Sequence, residues 1–420
     1  MSETITPYEK LITSKMITCV LVFFFINATT GMMYLYPTLK YMFGGILAVV
    51  YLGYLFRLTA SGLVLKISKE YGMIFCIFIF SIVLSSITGY LLGFSPPEGE
   101  GWYMLVLQLI KVLLFFVFVD LYKRNREVLI EAFIIVGTLF AIHGILQFLL
   151  VGFGFVTGTD FSTSSITSYN YSYRDFGILG WARVPFPLPF GIFYRAHSFF
   201  FEPIYFASFL GINIAVILMF YKKGYKRKLL LLINALCLLF TVSIAVIIAV
   251  FIGWFIYSIK TMNIKYLSLL IILFTALTIA FFTYIGLEFK SGSSENRFHR
   301  FVSTIDVIFD GYGVLGTGRN NEESITEHGI PSDQWLRLWL NHGLLGLISF
   351  LLINIYIFIR LRTKMKYFYF PFIFVVMSAD MLDNLYYFWI VMAILYLSTQ
   401  GTVLYKRNSV GIKRGLHVPA

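Results

Sequence analysis

The sequence predicts an all-α protein that crosses a membrane about twelve times. Of its 420 residues, 59% are hydrophobic and only 13% are charged, and soluble domains carry about 25% charged residues. Many apolar runs reach the length of about 20 residues that a helix needs to span a bilayer. Lys and Arg collect between alternate runs, which is the pattern of cytoplasmic loops.

The apolar runs divide into single spans and hairpins. Eight runs have the length of one span: 16–36, 39–56, 73–94, 102–122, 128–150, 203–221, 266–286 and 335–359. The runs 229–259 and 367–405 are too long for one span, and basic residues flank both ends of each. Each is interpreted as a hairpin with both ends in the cytoplasm. The turns are expected near Thr241–Ser243 and Ser378–Asn384, and both termini are then cytoplasmic. The first run lacks a small-residue cleavage site and is interpreted as a retained span.

These spans divide the chain into six segments. They are helices 1–5 in 1–150, a first exterior segment at 151–202, helices 6–9 in 203–286, a second exterior segment at 287–334, helices 10–12 in 335–405 and a cytoplasmic tail at 406–420. The net charge of +12 then reflects orientation in the lipid bilayer, and no nucleic acid is expected as a partner. The three cysteines lie in apolar runs, so no disulfide framework is expected.

The exterior segments differ from the cytoplasmic loops in their basic residues. Seven arginines and two lysines fall on the predicted outer side. Arg is preferred over Lys where a planar group must bind phosphate or carboxylate. Arg195, Arg297 and Arg300 lie in carboxylate-poor sequence and are expected to bind an anionic ligand. Arg174 and Arg319 have acidic neighbours and are equally expected to form ion pairs.

The second exterior segment contains an amphipathic stretch followed by glycines. Large apolar residues recur there at helical spacing, and basic residues fall on another face. The apolar residues are Phe298, Phe301, Ile305 and Phe309. Such a helix tends to lie in the plane of the membrane interface. The following glycines have no Lys-Ser/Thr ending, so they do not form a nucleotide-binding loop; they are Gly311, Gly313, Gly316 and Gly318.

Two local motifs carry a resemblance to a known family. One is the stretch from Arg195 through Pro203 to Ala207, which resembles an Arg…Pro-Asn-x-x-Ala pattern leading into the sixth span. The other joins Gly316 and Gly318 to Asp333 and to the Gly-x-x-Gly that begins at Gly343. In their order and placement they resemble the O-antigen polymerase/ligase superfamily, and within it the Wzy-type polymerases of bacterial surface polysaccharides. The ligases of the family place a His where this chain has Ser332, so the polymerases are the nearer match.

The resemblance implies a GT-C-like glycosyltransferase of the bacterial inner membrane, with its active site on the periplasmic side. Its substrates would be glycans on undecaprenyl diphosphate, which it would polymerise into O-antigen or a related polysaccharide, as in lipopolysaccharide biosynthesis. No cofactor is implied, and a chain-length regulator protein is implied as a partner. Arg195, Arg297, Arg300 and Arg319 would then stabilise the diphosphate leaving group.

The acceptor hydroxyl in such a reaction needs a base within hydrogen-bond reach. Asp333 is the first candidate, Glu202 the second, and His328 and His299 are the reserves. Asp333 precedes an apolar run, so it is equally well interpreted as the N-cap of a helix.

Further polar residues lie within the predicted spans and in a predicted turn. Lys111 lies in the middle of an apolar run, where a charge costs about 2.5–3.5 kcal/mol, and is expected to face a substrate cavity or a partner. His143 is interpreted as a residue that forms hydrogen bonds between helices. Asp380 and Asp383 fall in a predicted turn and are interpreted as polar turn residues. No spacing resembles a metal-ligand set, so the transfer is expected to be independent of a metal ion.

Two other functions remain open from the sequence. An O-antigen ligase would perform the same chemistry with lipid A core as its acceptor. A transporter or flippase for the lipid-linked oligosaccharide belongs to a different class, and such proteins often contain broken helices at mid-membrane.

Overall fold

The computed structural model of the protein is mostly helical. It describes residues 14–27, 45–47, 49–54, 67–93, 100–162, 172–183, 186–188, 191–200, 202–261, 291–318, 333–377 and 385–411. The helices in these parts are α1 (Lys15–Asn27), α2 (Lys69–Leu91), α3 (Glu100–Tyr122), α4 (Arg126–Gly152), α5 (Pro203–Phe220), α6 (Tyr225–Phe240), α7 (Ile244–Thr261), α8 (Ser291–Val307), α9 (Gln334–Arg360), α10 (Lys366–Val376) and α11 (Tyr386–Gly411). Residues 45–47 and 49–54 are also helical.

The predicted spans coincide with helices wherever the structure describes them. Among the described residues, five helices are long and apolar enough to cross a membrane, and they are α2, α3 from Leu105 onward, α4, α5 and α9. The predicted span 266–286 lies outside the described residues. The last helix continues to Gly411, whereas the sequence predicted its end at 405.

The first predicted hairpin is confirmed by the ends of two helices. The α6 helix ends at Phe240 and α7 begins at Ile244, so the turn lies where the flanking lysines placed it. Val242 in this turn has a φ of 48°, which is uncommon for a residue other than glycine and interrupts the helical backbone. The turn of the second hairpin lies outside the described residues, and α10 and α11 are found on its two sides.

The α11 helix is the centre of the bundle. Every residue from 385 to 397 is buried, and this helix packs against α1, α3, α4 and α9. Aromatic rings fill the space around it: Tyr396 stacks on Tyr71 at 4.7 Å between ring centroids, and Phe75 stacks on Phe115 at 4.5 Å. Such aromatic pairs add to the stabilisation that comes from burial of apolar area.

Small residues allow close helix contacts elsewhere in the bundle. A Cβ at Gly211 of α5 would lie 2.3 Å from the ring of Phe372, and a Cβ at Gly253 of α7 would lie 2.7 Å from the Phe368 carbonyl oxygen. Both glycines therefore admit α10 against their helices. Helices in membranes associate through such close packing because lipid provides little hydrophobic driving force.

The first exterior segment contains short strands that the sequence did not predict. Strands β1 (Thr159–Ser162), β2 (Ser172–Asp175) and β3 (Trp181–Arg183) form an antiparallel sheet, and β4 (Phe186–Leu188) pairs with β5 (Gly191–Phe193). The all-α prediction therefore applies to the helical bundle. Asp175 uses its Oδ1 to accept a hydrogen bond from the backbone N–H of Gly177 at 2.8 Å, which is a turn-forming contact.

Helix ends that the charge pattern assigns to one side come together in the structure. At the predicted exterior end, the backbone N–H of Gln334 at the start of α9 donates to the Met377 carbonyl, just past α10, at 3.0 Å. At the opposite end, Lys15 of α1 forms a 2.8 Å ion pair with Glu131 of α4. The packing is thus consistent with the predicted alternation of loops.

Candidate functional site

The segment 194–200, which leads toward α5, is held on α4 by one glutamine. The side-chain oxygen of Gln147 accepts hydrogen bonds from the backbone N–H groups of His197 and Ser198, each at 2.8 Å. Its side-chain nitrogen donates to the carbonyl of Leu179 at 2.8 Å. Gln147, His197 and Ser198 are buried, and a buried backbone group without its partner costs about 1–3 kcal/mol. Gln147 therefore fixes the path of the segment that carries Arg195.

His143 lies one turn before Gln147 and binds the same exterior segment. Its Nδ1 lies 2.9 Å from Ser198 Oγ and its Nε2 lies 3.0 Å from the Ile178 carbonyl oxygen. The imidazole also stacks on Phe199, with 4.1 Å between ring centroids. His143 forms hydrogen bonds as expected, but the expectation that they join two transmembrane helices is wrong, because its described partners lie in the segment 151–202.

Arg195 reaches from this segment to the turn between α6 and α7. Its Nε donates to the Thr241 carbonyl at 2.8 Å, and its Nη2 donates to the Val242 carbonyl at 3.3 Å. Beside it, the backbone N–H of Ala196 donates to the Phe240 carbonyl at 3.0 Å. Part of the guanidinium group thus satisfies carbonyls at the C-terminal end of α6, a structural role that basic residues often have.

Glu202 occupies the N-cap position of α5, directly before Pro203. Its backbone is extended, with φ −132° and ψ 150°, and its carboxylate does not cap the helix. Its half-buried side chain lies at the predicted exterior end of α5. The role of Glu202 as the second candidate base stays a prediction.

The glycine-rich turn after α8 docks onto a break in α9. The helix is interrupted at Gly343, which has φ 69° and ψ −178°. The carbonyls of Leu340 and Asn341 lose their helical partners there and accept hydrogen bonds from the backbone N–H groups of Thr317 at 2.8 Å and Gly318 at 3.1 Å. The break is therefore closed by backbone groups of the second exterior segment. This is how an interrupted helix can be tolerated at membrane depth.

Two glycines of the family-like motif meet at this break. A Cβ on Gly316 would lie 2.5 Å from the backbone nitrogen of Gly343, and a Cβ on Gly343 would lie 2.5 Å from the Val314 carbonyl oxygen. Both residues also have positive φ angles, of 81° and 69°, which glycine adopts without the steric cost of a side chain. The two halves of the motif are separate in sequence and adjacent in space.

Asp333 is the N-cap residue of α9. Its Oδ1 accepts a hydrogen bond from the backbone N–H of Leu336 at 3.0 Å, so the N-cap interpretation is confirmed. Partial burial raises the pKa of this carboxyl above its ordinary value, against the opposing effect of the Leu336 and Trp335 backbone hydrogen bonds. A higher pKa makes a carboxylate a stronger base once it is ionised, so capping and proton transfer remain compatible.

The α8 helix carries the arginines of the second exterior segment and packs against α9. Arg300 is half-buried and His299 is exposed, while Thr304 is fully buried and donates to the Arg300 carbonyl at 2.6 Å. Phe301 and Phe309 are 40% and 75% exposed, as expected for a helix whose apolar face meets lipid. A five-residue π-helical turn, Ile308–Tyr312, connects α8 to the glycines.

Buried polar side chains continue from Asp333 into the bundle. Four polar residues before the break in α9 are at most 5% exposed; they are Gln334, Arg337, Asn341 and His342. The first three recur at helical spacing and lie on one face. His342 Nε2 lies 3.5 Å from the Nε2 atom of Gln108 on α3. Polar residues within membrane spans mark substrate paths or functional sites by default.

Lys111 lies one turn beyond Gln108 on α3. It is half-buried, and its Nζ lies 5.5 Å from the centre of the Tyr386 ring, within the range of a cation–π interaction. Lys111 thus has an aromatic ring of the central helix as a partner, and its role in a substrate cavity stays a prediction. The sequence predicted a role for Lys111 but not for His342. His342 lies 234 residues after Gln108 in the chain, so its contact with that glutamine could not be predicted from neighbouring residues.

Several predicted site residues lie beyond the described parts of the chain. Arg319, His328, Asp380 and Asp383 fall outside the described residues, and Arg297 lies on α8 at a position where only the backbone is described. The described hydrogen bonds of Arg195 run to the α6–α7 turn, and α8 packs on α9. The convergence of Arg195 with Arg297 and Arg300 therefore stays a prediction.

The long apolar helices define a membrane protein that crosses the bilayer several times. Compared with models of known protein families and with curated proteins, the chain matches none of them.

Proposed function

We propose that the protein polymerises lipid-linked oligosaccharide repeat units, carried on undecaprenyl diphosphate, at the outer face of the bacterial inner membrane. One observation supports the proposal most directly. The helix that carries Arg297 and Arg300 packs against α9, and Asp333 is the N-cap residue of α9. Cationic groups and a carboxylate therefore come from adjoining elements, as a glycosyl transfer from a diphosphate requires.

In the proposed reaction, the acceptor hydroxyl attacks the anomeric carbon of the donor sugar. The bond from that carbon to the phosphate oxygen breaks, and its electron pair leaves with the lipid diphosphate. Arg300 and Arg297 neutralise the charge that develops on the leaving oxygen, and such preorganised electrostatic stabilisation is usually the largest catalytic contribution. Asp333 accepts the proton of the acceptor hydroxyl. Glu202, His299 and His328 are the alternative bases.

The docked glycine turn supports this arrangement of the site. The turn follows α8 directly and is hydrogen-bonded to the break in α9 through Thr317 and Gly318. The arginine helix is thereby held beside the helix that starts at Asp333. A catalytic group must be held close to its working geometry, and the backbone contacts provide this restraint without using the charged side chains.

Exchange of Arg300 for Lys tests the electrostatic part of the proposal. Lys keeps the charge but cannot present the planar fork that binds two phosphate oxygens, and loss of one such donor lowers rates on the order of 10²–10³-fold. We expect cells with this variant to accumulate single-repeat surface glycan, measured as the ladder of chain lengths on a gel. The control is Arg360→Lys at the other end of α9, which should leave the ladder unchanged. A normal ladder for R300K at equal protein level would contradict the assignment.

A flippase is the second candidate, and the broken helix favours it. Transporters place their sites at discontinuous helices near the midplane, and α9 is broken at Gly343 with buried polar residues beside the break. Deletion of the protein separates the candidates. Single repeat units on the surface indicate a polymerase, complete polymer left unattached indicates an O-antigen ligase, and the absence of any exterior repeat indicates a flippase.

Cysteine labelling tests the proposed orientation. Asp310 follows α8 and is exposed, so in a variant without the native cysteines, Asp310→Cys should react with an impermeant thiol reagent in intact cells. Lys223→Cys is also at an exposed position, but on the predicted cytoplasmic side, and should react only after lysis. Labelling of both, or of Lys223→Cys alone, would overturn the orientation.

A further inference from the structure

A cavity of about 820 Å³ lies at the predicted cytoplasmic end of the bundle. It is bounded by the start of α4, the end of α5, the start of α6 and Ser398 of α11. Five basic residues line it: Arg126, Lys222, Lys223, Lys226 and Arg227. Glu202 lies at the opposite end of α5, while Asp333 and the arginines of α8 belong to elements that do not bound this cavity, so it is separate from the site described above.

The charge of this cavity is strongly positive. Its two acidic lining residues are Glu127 and Glu131, and Glu131 forms a 2.8 Å ion pair with Lys15 of α1. The helices α4 and α6 also begin here, and the partial positive charge at a helix N-terminus adds to the attraction for anions. The cavity is therefore built for an anionic ligand.

The arginines and the lysines of the cavity have different surroundings. Arg126 donates to the Leu397 carbonyl at 3.3 Å, and Arg227 donates to the Leu218 carbonyl at 3.2 Å, so both are tied to other helices and form the walls. The lysines at 222, 223 and 226 are exposed. Lys222 and Lys223 lie in the loop between α5 and α6, and Lys226 lies in the first turn of α6. The three lysine side chains can therefore reach a ligand that is bound between Arg126 and Arg227.

Apolar surface next to the cavity indicates that the ligand is a lipid. Ile130, Ile134 and Phe220 contribute apolar wall. The α6 helix continues from the cavity along the membrane, with Leu229 43% exposed and Leu232 64% exposed. A headgroup in the cavity would place its acyl chains against these leucines, whereas a soluble anion would make no use of them.

We propose that this cavity binds the headgroup of an anionic phospholipid of the inner leaflet, of the phosphatidylglycerol or cardiolipin class. Basic pockets between membrane helices on the cytoplasmic side bind such headgroups, and each nearby Lys or Arg strengthens the attraction. The enrichment of basic residues in cytoplasmic loops, which orients a protein in the membrane, would explain why this loop is basic. It would not explain why these residues surround a cavity that opens beside an apolar helix face. The inference is independent of the glycan chemistry.

The test measures lipid binding by the full-length purified protein. The triple variant Lys222→Gln, Lys223→Gln, Lys226→Gln is titrated with short-chain phosphatidylglycerol in a neutral detergent, and bound lipid is counted by native mass spectrometry. Each lysine is expected to strengthen the binding of phosphatidylglycerol about fivefold, so loss of all three should lower the affinity on the order of 100-fold. The matched control Arg360→Gln, Arg362→Gln, Lys364→Gln removes the same charge from another predicted cytoplasmic loop and should bind as the unchanged protein does.

Three results would overturn the proposal. One is equal loss of binding in the control, which would mean a general charge effect. Another is equal binding of phosphatidylcholine, and the third is full competition by inorganic phosphate at millimolar concentration, which would indicate a site for soluble anions. If the triple variant does not remain monodisperse, the single reversal Lys226→Glu serves in its place and should weaken phosphatidylglycerol binding by at least tenfold.

Discussion

Exchange of Asp333 for Asn is expected to lower the rate of glycan transfer by about 10²–10⁴-fold, the usual contribution of a general base, while α9 keeps its N-terminal cap. Asn caps helices about as well as Asp does, so the hydrogen bond to the Leu336 N–H can be retained. The Asn amide is not a base at neutral pH, so it cannot take the proton from the hydroxyl of the acceptor sugar. The measurement is transfer between lipid-linked repeat units by purified protein.

Asp333→Ala is the companion variant, because it removes both the cap and the base. Loss of an N-cap costs about 1 kcal/mol, so the Ala variant should unfold at lower denaturant concentration than the Asn variant, with equally low activity. Full activity of D333N together with reduced stability of D333A would reduce Asp333 to a cap. The base would then have to be sought at Glu202, His299 or His328.

The pH dependence of transfer gives an independent check on Asp333. Burial raises the pKa of this carboxyl above its ordinary value, and only the ionised form can accept a proton. Activity should therefore fall as the pH is lowered through this raised pKa, at a higher pH than for an ordinary aspartate. In D333N this acidic limb should be absent from the residual activity.

Exchange of Gly343 for Ala is expected to destabilise the protein by about 3 kcal/mol or more. Gly343 has φ 69° and ψ −178°, a combination that is essentially restricted to glycine, so a side chain there costs about 1–3 kcal/mol. Forcing an extra group into packed space costs about 1–3 kcal/mol more. The new Cβ would lie 2.5 Å from the Val314 carbonyl oxygen, so the glycine turn would have to leave the break. The carbonyls of Leu340 and Asn341 would then lose their partners. Denaturant unfolding in detergent measures the effect.

Gly154→Ala is the matched control for this exchange. Gly154 has a φ of 71°, nearly that of Gly343, but no atom lies within 4 Å of a Cβ built there. The control should lose only the backbone contribution of about 1–2 kcal/mol. Equal destabilisation by the two variants would mean that the docking of the turn on α9 contributes nothing, and the proposed support for the arginine helix would fail with it.

The helical bundle could be predicted from the sequence because membrane spans obey simple length and charge rules. The turn at Thr241–Ser243 followed from the lysines that flank the 229–259 run. The capping role of Asp333 followed from its place before an apolar run. Both features depend on neighbouring residues only, so a single sequence contains the information needed to predict them.

The remaining features depend on contacts between distant residues. Gly343 lies in a run that was predicted to form one continuous span, and glycine is common in membrane helices, so nothing local predicted the break. The strands between 159 and 193 have only three or four residues each, too few to show an alternating pattern. Gln147 meets His197 and Ser198 about 50 residues later, and its apolar neighbours give no sign of this.

The double attachment of Arg195 couples its position to the relative movement of two helices. Through Gln147 its segment is tied to α4, and through Thr241 and Val242 the guanidinium is tied to the α6–α7 turn. The helices α4 and α6 also pack against each other. A sliding of one past the other would have to break one attachment or carry the arginine along. The hydrogen bonds of Arg195 and its segment therefore restrain α4 and α6 from moving relative to each other.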